Sequence, residues 1–174
     1  MHTPARALEA AHVVTLTVLT VVVGVDPAAL VRRAPDWAGW VTGQQRLDRV
    51  MSRVAPPLFL STAATAAGAA LLALGQHRTT LAVTRAAAAG CTVAAIRVTL
   101  TVNEPANDLI RSWRPSDVPP DDWREVRARW DRGHRWRRGL IAVAAGSTAW
   151  GLLQTTRAAQ GTFATRGAII RSTT

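Results

Sequence analysis

The sequence predicts an all-α protein, a four-helix transmembrane bundle that forms one domain over residues 1–174. The first observation behind this prediction is that the hydrophobic residues, 48% of the chain, are bunched into long runs. The second is that four of these runs approach the roughly 20 residues that a helix needs to cross the hydrocarbon of a bilayer. The predicted spans are residues 7–25, 58–75, 81–102 and 139–153. We expect an interfacial helix between spans one and two and a long polar connection between spans three and four.

The charge of the chain points to a bilayer as its partner. The formal net charge is +10, and all 21 basic residues are Arg. These Arg residues flank the apolar runs and alternate with acids in the connections, which is not the pattern of a nucleic-acid-binding protein. We expect the membrane to be the cell membrane of a bacterium. Most of the Arg residues lie at the end with the two long connections, so the positive-inside rule predicts that these connections are in the cytoplasm. The single Cys91 lies in an apolar run as a small packing residue and excludes an intrachain disulfide.

The first span carries two ionisable side chains. Glu9 and His12 are three residues apart and share a helix face. Ionisable groups within a span are candidates for function, and both are candidate metal ligands. Alternatively, Glu9 lies at the membrane surface and His12 hydrogen-bonds a neighbouring helix. We expect this span to be retained, because it ends at Asp26-Pro27 and not at the small-residue site of a cleaved signal peptide.

The second and third spans are predicted to be adjacent and antiparallel, because only the short stretch 76–80 joins them. From Trp37 onward, apolar residues recur at helical spacing and predict the interfacial helix that leads into span two. Pro56 and Pro57 then predict either a kink or the start of a new helix. Both spans are rich in small residues, which suit helix packing within one protomer or between copies in a homo-oligomer.

The third span contains two Arg residues. We expect Arg85 to extend to the nearer membrane surface. Arg97 lies deeper, and Glu104 follows it by seven residues and so shares its side of a helix. Arg97 is therefore predicted to reach towards Glu104 or Asn103. This pairing has two interpretations, a buried ion pair that fixes a helix end or an anchor for a substrate.

A helix predicted from about residue 121 continues into the fourth span and gathers chemically active residues on one face. Five side chains follow at alternating spacings of four and three, so all project from the same side. We call this set the aromatic–basic face: Trp123, Arg127, Trp130, His134 and Arg137. Its predicted counterpart is the stretch Asn103-Glu104-Pro105-Ala106-Asn107, where the proline is expected to end the third helix.

These residues resemble the anthrone oxygenase family of small integral membrane proteins. The resemblance covers residues 98–138 and rests on two motifs, N-x-P-x-N and W-x3-R-x-R-W-x3-H-x2-R, here Asn103, Pro105, Asn107, Trp123, Arg127, Arg129, Trp130, His134 and Arg137. It implies a four-helix membrane oxidoreductase, an oxygenase of secondary metabolism. Some relatives oxidise anthrones to anthraquinones with molecular oxygen.

An anthrone-like or polyketide substrate suggests roles for the aromatic–basic face. A flat apolar molecule is expected between Trp123 and Trp130. Loss of the acidic C–H of an anthrone gives an enolate that reacts with oxygen directly, so a base and a cation suffice without a cofactor. His134 is the leading candidate base, since its unperturbed pKa is near 6.5. Arg127 and Arg137 lie on either side of the candidate base along the same helix face and are placed to stabilise the oxyanion.

The neighbouring polar residues complete this prediction. Asn103 and Asn107 are expected to hydrogen-bond a phenol or carbonyl of the substrate, Arg97 is a candidate anchor, and Glu104 is a second candidate base. In the alternative interpretation, the Asn, Arg and Trp residues only lock the connection onto the bundle.

Two other functions stay open from the sequence. One is a haem, copper or iron site with His134 or His12 as a ligand, together with Glu104 or Glu9. The topology separates these pairs to opposite ends of the bundle, on the order of 20 Å apart, so they do not form one metal site. The other is a non-enzymatic accessory protein or small-molecule binder.

Overall fold

The computed structural model is almost entirely helical over the residues that it describes, which are 3–24, 29, 31, 33–34 and 36–172. Its elements are α1 (Thr3–Gly24), α2 (Trp37–Gly75), α3 (Thr79–Val98), a π-helical turn (Thr99–Asn103), α4 (Glu104–Ser112) and α5 (Trp123–Ser172). No strand occurs in the described part of the chain. The all-α prediction is confirmed. Residue 25, the predicted end of the first span, and the following Asp26-Pro27 lie outside the described residues.

The four long helices form a closed bundle. α3 packs against α2 and α5, and α1 packs against α2 and α5. A tight turn joins α2 to α3, with His77 in the left-handed region at a φ of 56°. Small residues allow the helices to approach closely in the middle of the bundle, where Ala66, Ala88 and Ala144 are fully buried. The predicted four-helix bundle is therefore present.

The outer surface of the bundle is apolar. Val21, Leu71 and Val83 each expose more than half of their surface. Three helical segments are long and apolar enough to cross a membrane: Arg6–Val23, Trp37–Gly75 and Thr79–Ser112. This distribution, with polar groups inside and apolar groups outside, is that of a membrane protein.

The fourth predicted span, residues 139–153, is part of α5. This stretch exposes Val143, Trp150 and Leu153 on the outside of the bundle. α5 is not among the three segments that qualify by length and composition. Its passage through the membrane stays a prediction, and the helix itself continues to Ser172.

The predicted interfacial helix and the second span form one continuous helix, Trp37–Gly75, with Pro56 and Pro57 inside it. No new helix begins at the prolines. Because proline has no backbone N–H, the carbonyl groups of Ser52 and Arg53 receive no hydrogen bond from the residues four positions ahead.

A buried ion pair joins α1 to α3 at the end of the bundle that carries the termini. Arg85 is fully buried, and its guanidinium group binds the Glu9 carboxylate, with Nε 3.0 Å from Oε1. Its Nη1 also donates to the carbonyl oxygen of Thr148 on α5, at 3.2 Å. The prediction that Arg85 extends to the membrane surface is wrong, because Glu9 provides a counter-charge inside the bundle.

His12 takes part in the same network. It is fully buried, and its Nε2 lies 3.1 Å from the Thr148 hydroxyl oxygen. Of the two interpretations of His12, the hydrogen bond to a neighbouring helix is the one that the structure shows. Three helices, α1, α3 and α5, therefore meet at this polar cluster, and its ion pair and hydrogen bonds connect them.

We predict that Glu9→Gln lowers the free energy of unfolding by on the order of 3 kcal/mol, because it leaves the Arg85 charge buried without a counter-charge. Chemical unfolding in detergent would measure the change. The double variant Glu9→Gln/Arg85→Met should be more stable than Glu9→Gln alone, since it removes both charges. Glu125→Gln, at an exposed position, is the matched control, and an equal effect of the two single substitutions would contradict this account.

Candidate functional site

The third helix does not end at the N-x-P-x-N motif but passes through it as a π-helical turn. The N–H of Glu104 donates to the carbonyl oxygen of Thr99, five residues earlier. Pro105 lies in the first turn of α4, directly after the π-helical turn. The prediction that Pro105 ends the helix is therefore wrong. The π-helical turn adds one residue relative to a regular α-helix and rotates everything after it by about 100°.

This rotation separates Arg97 from Glu104. In an unbroken α-helix the two residues would lie nearly on one line, but the Arg97 side chain is exposed on the outside of the bundle. Glu104 instead accepts hydrogen bonds from Asn107 Nδ2, at 2.9 Å, and Arg111 Nη2, at 3.1 Å. The predicted contact between Arg97 and Glu104 is wrong, whereas the role of Arg97 as a substrate anchor stays a prediction.

Arg111, which was not predicted from the sequence, ties α4 to α2. Its Nε donates to Asp48 Oδ2 at 2.7 Å, and its Nη1 donates to Asp108 Oδ1 at 2.7 Å. Gln45 on α2 also donates to the carbonyl oxygens of Ile110 and Trp113, each at 2.8 Å. These contacts hold the short α4 against α2.

Two hydrogen bonds from the motif hold Trp130 on α5. Asn103 Nδ2 donates to the Trp130 carbonyl oxygen at 3.0 Å, and the Trp130 indole N–H donates to Asn107 Oδ1 at 2.9 Å. A Cβ atom at Gly133 would lie 2.7 Å from Asn103 Oδ1, so this approach requires glycine. The only sequence signal for Gly133 is that a glycine inside a helix costs about 1 kcal/mol relative to alanine. The side chains of Asn103 and Asn107 thus bind α5, as expected if the motif locks the connection onto the bundle.

Trp130 in turn positions His134. The two rings stack with centroids 5.2 Å apart and planes 9° apart. Arg137 Nη2 lies 2.9 Å from His134 Nδ1, and Arg137 Nη1 donates to the Thr99 hydroxyl at 3.3 Å. Arginine has donors only, so Nδ1 is the acceptor and the proton of the neutral imidazole lies on Nε2.

Arg137 lies just before the predicted fourth span, in a buried position. Burial lowers the pKa of its guanidinium group, and the negative charge of Glu104 opposes this shift. Arginine nevertheless stays charged in proteins. A fixed positive charge therefore lies beside the His134 ring.

These residues border a cavity of about 310 Å³ between α1, α2, the π-helical turn, α4 and α5. This volume is in the range of small-molecule sites. One end of the cavity is polar and is lined by Gln44, Asp48, Glu104, Asn107, His134 and Arg137. The other walls are mainly apolar and include Leu19, Val23, Phe59, Leu60, Ile96 and Leu100. Trp130 also lines it.

Two members of the aromatic–basic face lie away from the cavity. Trp123 packs against Trp37 and Trp40, with ring centroids 5.6 and 5.8 Å apart, and the Arg127 guanidinium carbon lies 5.6 Å from the Trp40 ring centroid. The face spans about 21 Å along α5, so its first turns pass beyond the cavity. This cavity is not lined by Trp123 or Arg127, and their roles at a substrate stay predictions.

The candidate metal ligands do not form a cluster. Among the described residues, no group of three or more His, Cys, Asp or Glu side chains comes close enough to bind a metal ion. Glu9 and His12 bind Arg85 and Thr148 at one end of the bundle, whereas His134 and Glu104 line the cavity at the other end.

The fold and the cavity define a small helical membrane protein that encloses an apolar space with an ionisable end. The chain belongs to the anthrone oxygenase family, whose model matches residues 47–147. This range includes α3, the π-helical turn, α4 and every polar cavity residue named above except Gln44. The family predicted from the motifs is thereby confirmed. Neither curated proteins nor solved structures give a match.

We predict that Gly133→Ala destabilises the protein by about 1–3 kcal/mol, because the added methyl group displaces Asn103 from Trp130. Gly139→Ala is the matched control on the same helix, since no neighbouring atom lies within 4 Å of the Cβ position. It should be neutral or stabilising by up to about 1 kcal/mol through helix propensity. Thermal unfolding of both variants in detergent tests this, and equal stability would contradict the proposed close contact.

Proposed function

We propose that this protein is a membrane oxygenase that oxidises a flat, apolar aromatic substrate of anthrone or polyketide type with molecular oxygen. The observation that carries the proposal is the cavity, in which mainly apolar walls from α1, α2 and the π-helical turn face a carboxylate, an imidazole and a guanidinium group. An apolar ring system fits the walls, and a carbonyl or phenol oxygen fits the polar end. Membership of the anthrone oxygenase family supports the same chemistry.

Glu104 is the proposed base. Its carboxylate borders the cavity and holds two hydrogen bonds, one on each oxygen, which orient it and leave lone pairs for a proton. His134 was the leading candidate from the sequence. In the structure its Nδ1 accepts from Arg137, so that nitrogen cannot take a proton while this contact lasts. The geometry therefore favours Glu104 over His134 as the base.

Arg137 and His134 together are proposed to stabilise the enolate oxygen. Arg137 supplies a fixed positive charge close to the polar end, where a mainly apolar surrounding strengthens its effect. With Nδ1 accepting from Arg137, the Nε2–H of His134 is the ring's hydrogen-bond donor. Stacking on Trp130 holds the imidazole ring in one orientation.

The proposed reaction balances with oxygen as the only co-substrate. Glu104 removes a proton from the methylene carbon opposite the ketone, and the enolate that forms is oxidised by O2 at that carbon. The peroxide takes the proton back from Glu104 and becomes a hydroperoxide. Removal of the second hydrogen from the same carbon, with cleavage of the O–O bond, gives the quinone carbonyl and releases water. One anthrone and one O2 thus give one anthraquinone and one water.

We expect Glu104→Gln to lower turnover of anthrone by about 10²- to 10⁴-fold, the usual contribution of a general base. His134→Gln should retain more activity, because the glutamine amide still donates a hydrogen bond. Oxygen consumption and anthraquinone formation by purified protein in detergent would measure both rates. If His134→Gln lowers turnover more than Glu104→Gln does, His134 is the base.

The charge at the polar end is tested separately. Arg137→Gln should lower turnover by about 10²-fold or more, as loss of an oxyanion-stabilising donor does. Arg135→Gln, two residues away and exposed, should retain wild-type turnover.

An absorbance spectrum and metal analysis belong to the same experiment, because a Soret band or stoichiometric copper or iron would replace this mechanism with a cofactor-dependent one. If none of these variants changes any oxidation rate but each lowers thermal stability, the polar end is structural and the enzymatic proposal fails.

A further inference from the structure

The cavity has a long side opening between α2 and the π-helical turn. Ser52, Pro56 and Leu60 line the cavity from α2 at spacings of four, so they lie along one line of the helix, and all three are exposed. Leu100 lines it from the π-helical turn. Leu60 and Leu100 are each 62% exposed. A side chain that both borders a cavity and is largely exposed marks the rim of an opening.

This opening faces the membrane along much of its length. Both rims belong to segments that are apolar and long enough to span a bilayer, Trp37–Gly75 and Thr79–Ser112. Leu60 lies beyond the prolines towards the middle of the bundle. Ser52 lies two helical turns away from it, nearer the polar end of the cavity, where Glu104 and Asp48 are found. The opening therefore runs from a polar end to an apolar end.

We infer that the ligand enters sideways from the bilayer, through the opening between α2 and the π-helical turn, and reaches the polar end of the cavity at Glu104, His134 and Arg137. The identity of this ligand rests on the proposed function, whereas the route rests on the geometry of the rim. A planar apolar molecule dissolved in the hydrocarbon can slide between Leu60 and Leu100.

The route restricts the class of substrate. A molecule that still carries a charged or bulky hydrophilic group, such as a thioester carrier or a sugar, would have to bring that group into the hydrocarbon, which costs several kcal/mol for a charge. We therefore expect the substrate to be the free, uncharged ring system. The reaction that supplies its substrate must release the polyketide from its carrier first.

A labelling experiment tests the route without requiring catalysis. Single cysteines replace Leu60 or Leu71 in a Cys91→Ala background, and a membrane-soluble pyrenyl maleimide labels them in nanodiscs. Both leucines lie on α2 and are largely exposed, but Leu71 does not line the cavity. Anthraquinone, which the proposed reaction does not consume, serves as the probe. At about nine times its Kd it should slow labelling at position 60 roughly tenfold, by the mass-action factor 1 + [L]/Kd. Labelling at position 71 should not change.

The membrane-impermeant anthraquinone-2-sulfonate separates the two possible routes. It should give no protection at position 60, because its charge keeps it out of the hydrocarbon. Equal protection by the sulfonate would overturn lateral entry in favour of entry from water. Equal labelling of position 60 with and without anthraquinone would overturn the ligand site itself and would indicate that lipid chains occupy the cavity. Protection without any oxidation of anthrone would support the route while the proposed function fails.

Discussion

The arrangement of the cavity depends on how Trp130 is held. Its carbonyl oxygen and its indole N–H are bound by Asn103 and Asn107, four residues apart on the adjoining helical segment. In an interior with few competing polar groups, such paired hydrogen bonds fix both the distance and the rotation of the two helices. Because His134 stacks on the same ring, the position of the imidazole follows from the position of the two Asn side chains. The contact between Asn103 and Trp130 requires glycine at position 133, since a Cβ atom there would lie too close to the Asn103 amide.

The π-helical turn decides which side chains reach the cavity. One additional residue rotates α4 relative to α3, which brings Glu104 and Asn107 inward and leaves Arg97 outside. Arg111 then fills the place beside Glu104 that the sequence suggested for Arg97. The local irregularity of the backbone therefore determines the composition of the site. A regular helix over the same residues would present a different set of groups.

The sequence predicted what depends on composition and regular spacing. The bundle follows from four apolar runs, and the inward position of Trp130, His134 and Arg137 follows from their spacing of four and three. The predicted pairing of Arg97 with Glu104 was wrong, because spacing arguments assume an unbroken α-helix. Trp123 was assigned to the cavity because periodicity identifies a face but not how far along that face a cavity extends. No pattern in one sequence shows that Gly133 must accommodate a side chain 30 residues earlier in the chain.

The proline pair of α2 also sets how deep the protein sits. The carbonyl groups of Ser52 and Arg53 lack donors from their own helix, and a carbonyl group left unbonded in hydrocarbon costs several kcal/mol. Both residues are exposed, so water or lipid headgroups can reach these carbonyl groups. A position at the boundary between headgroups and hydrocarbon would suit this turn. From Leu58 to Gly75 the helix then rises roughly 27 Å, close to the thickness of the hydrocarbon layer. Two missing N–H groups thus favour one depth of the bundle along the membrane normal.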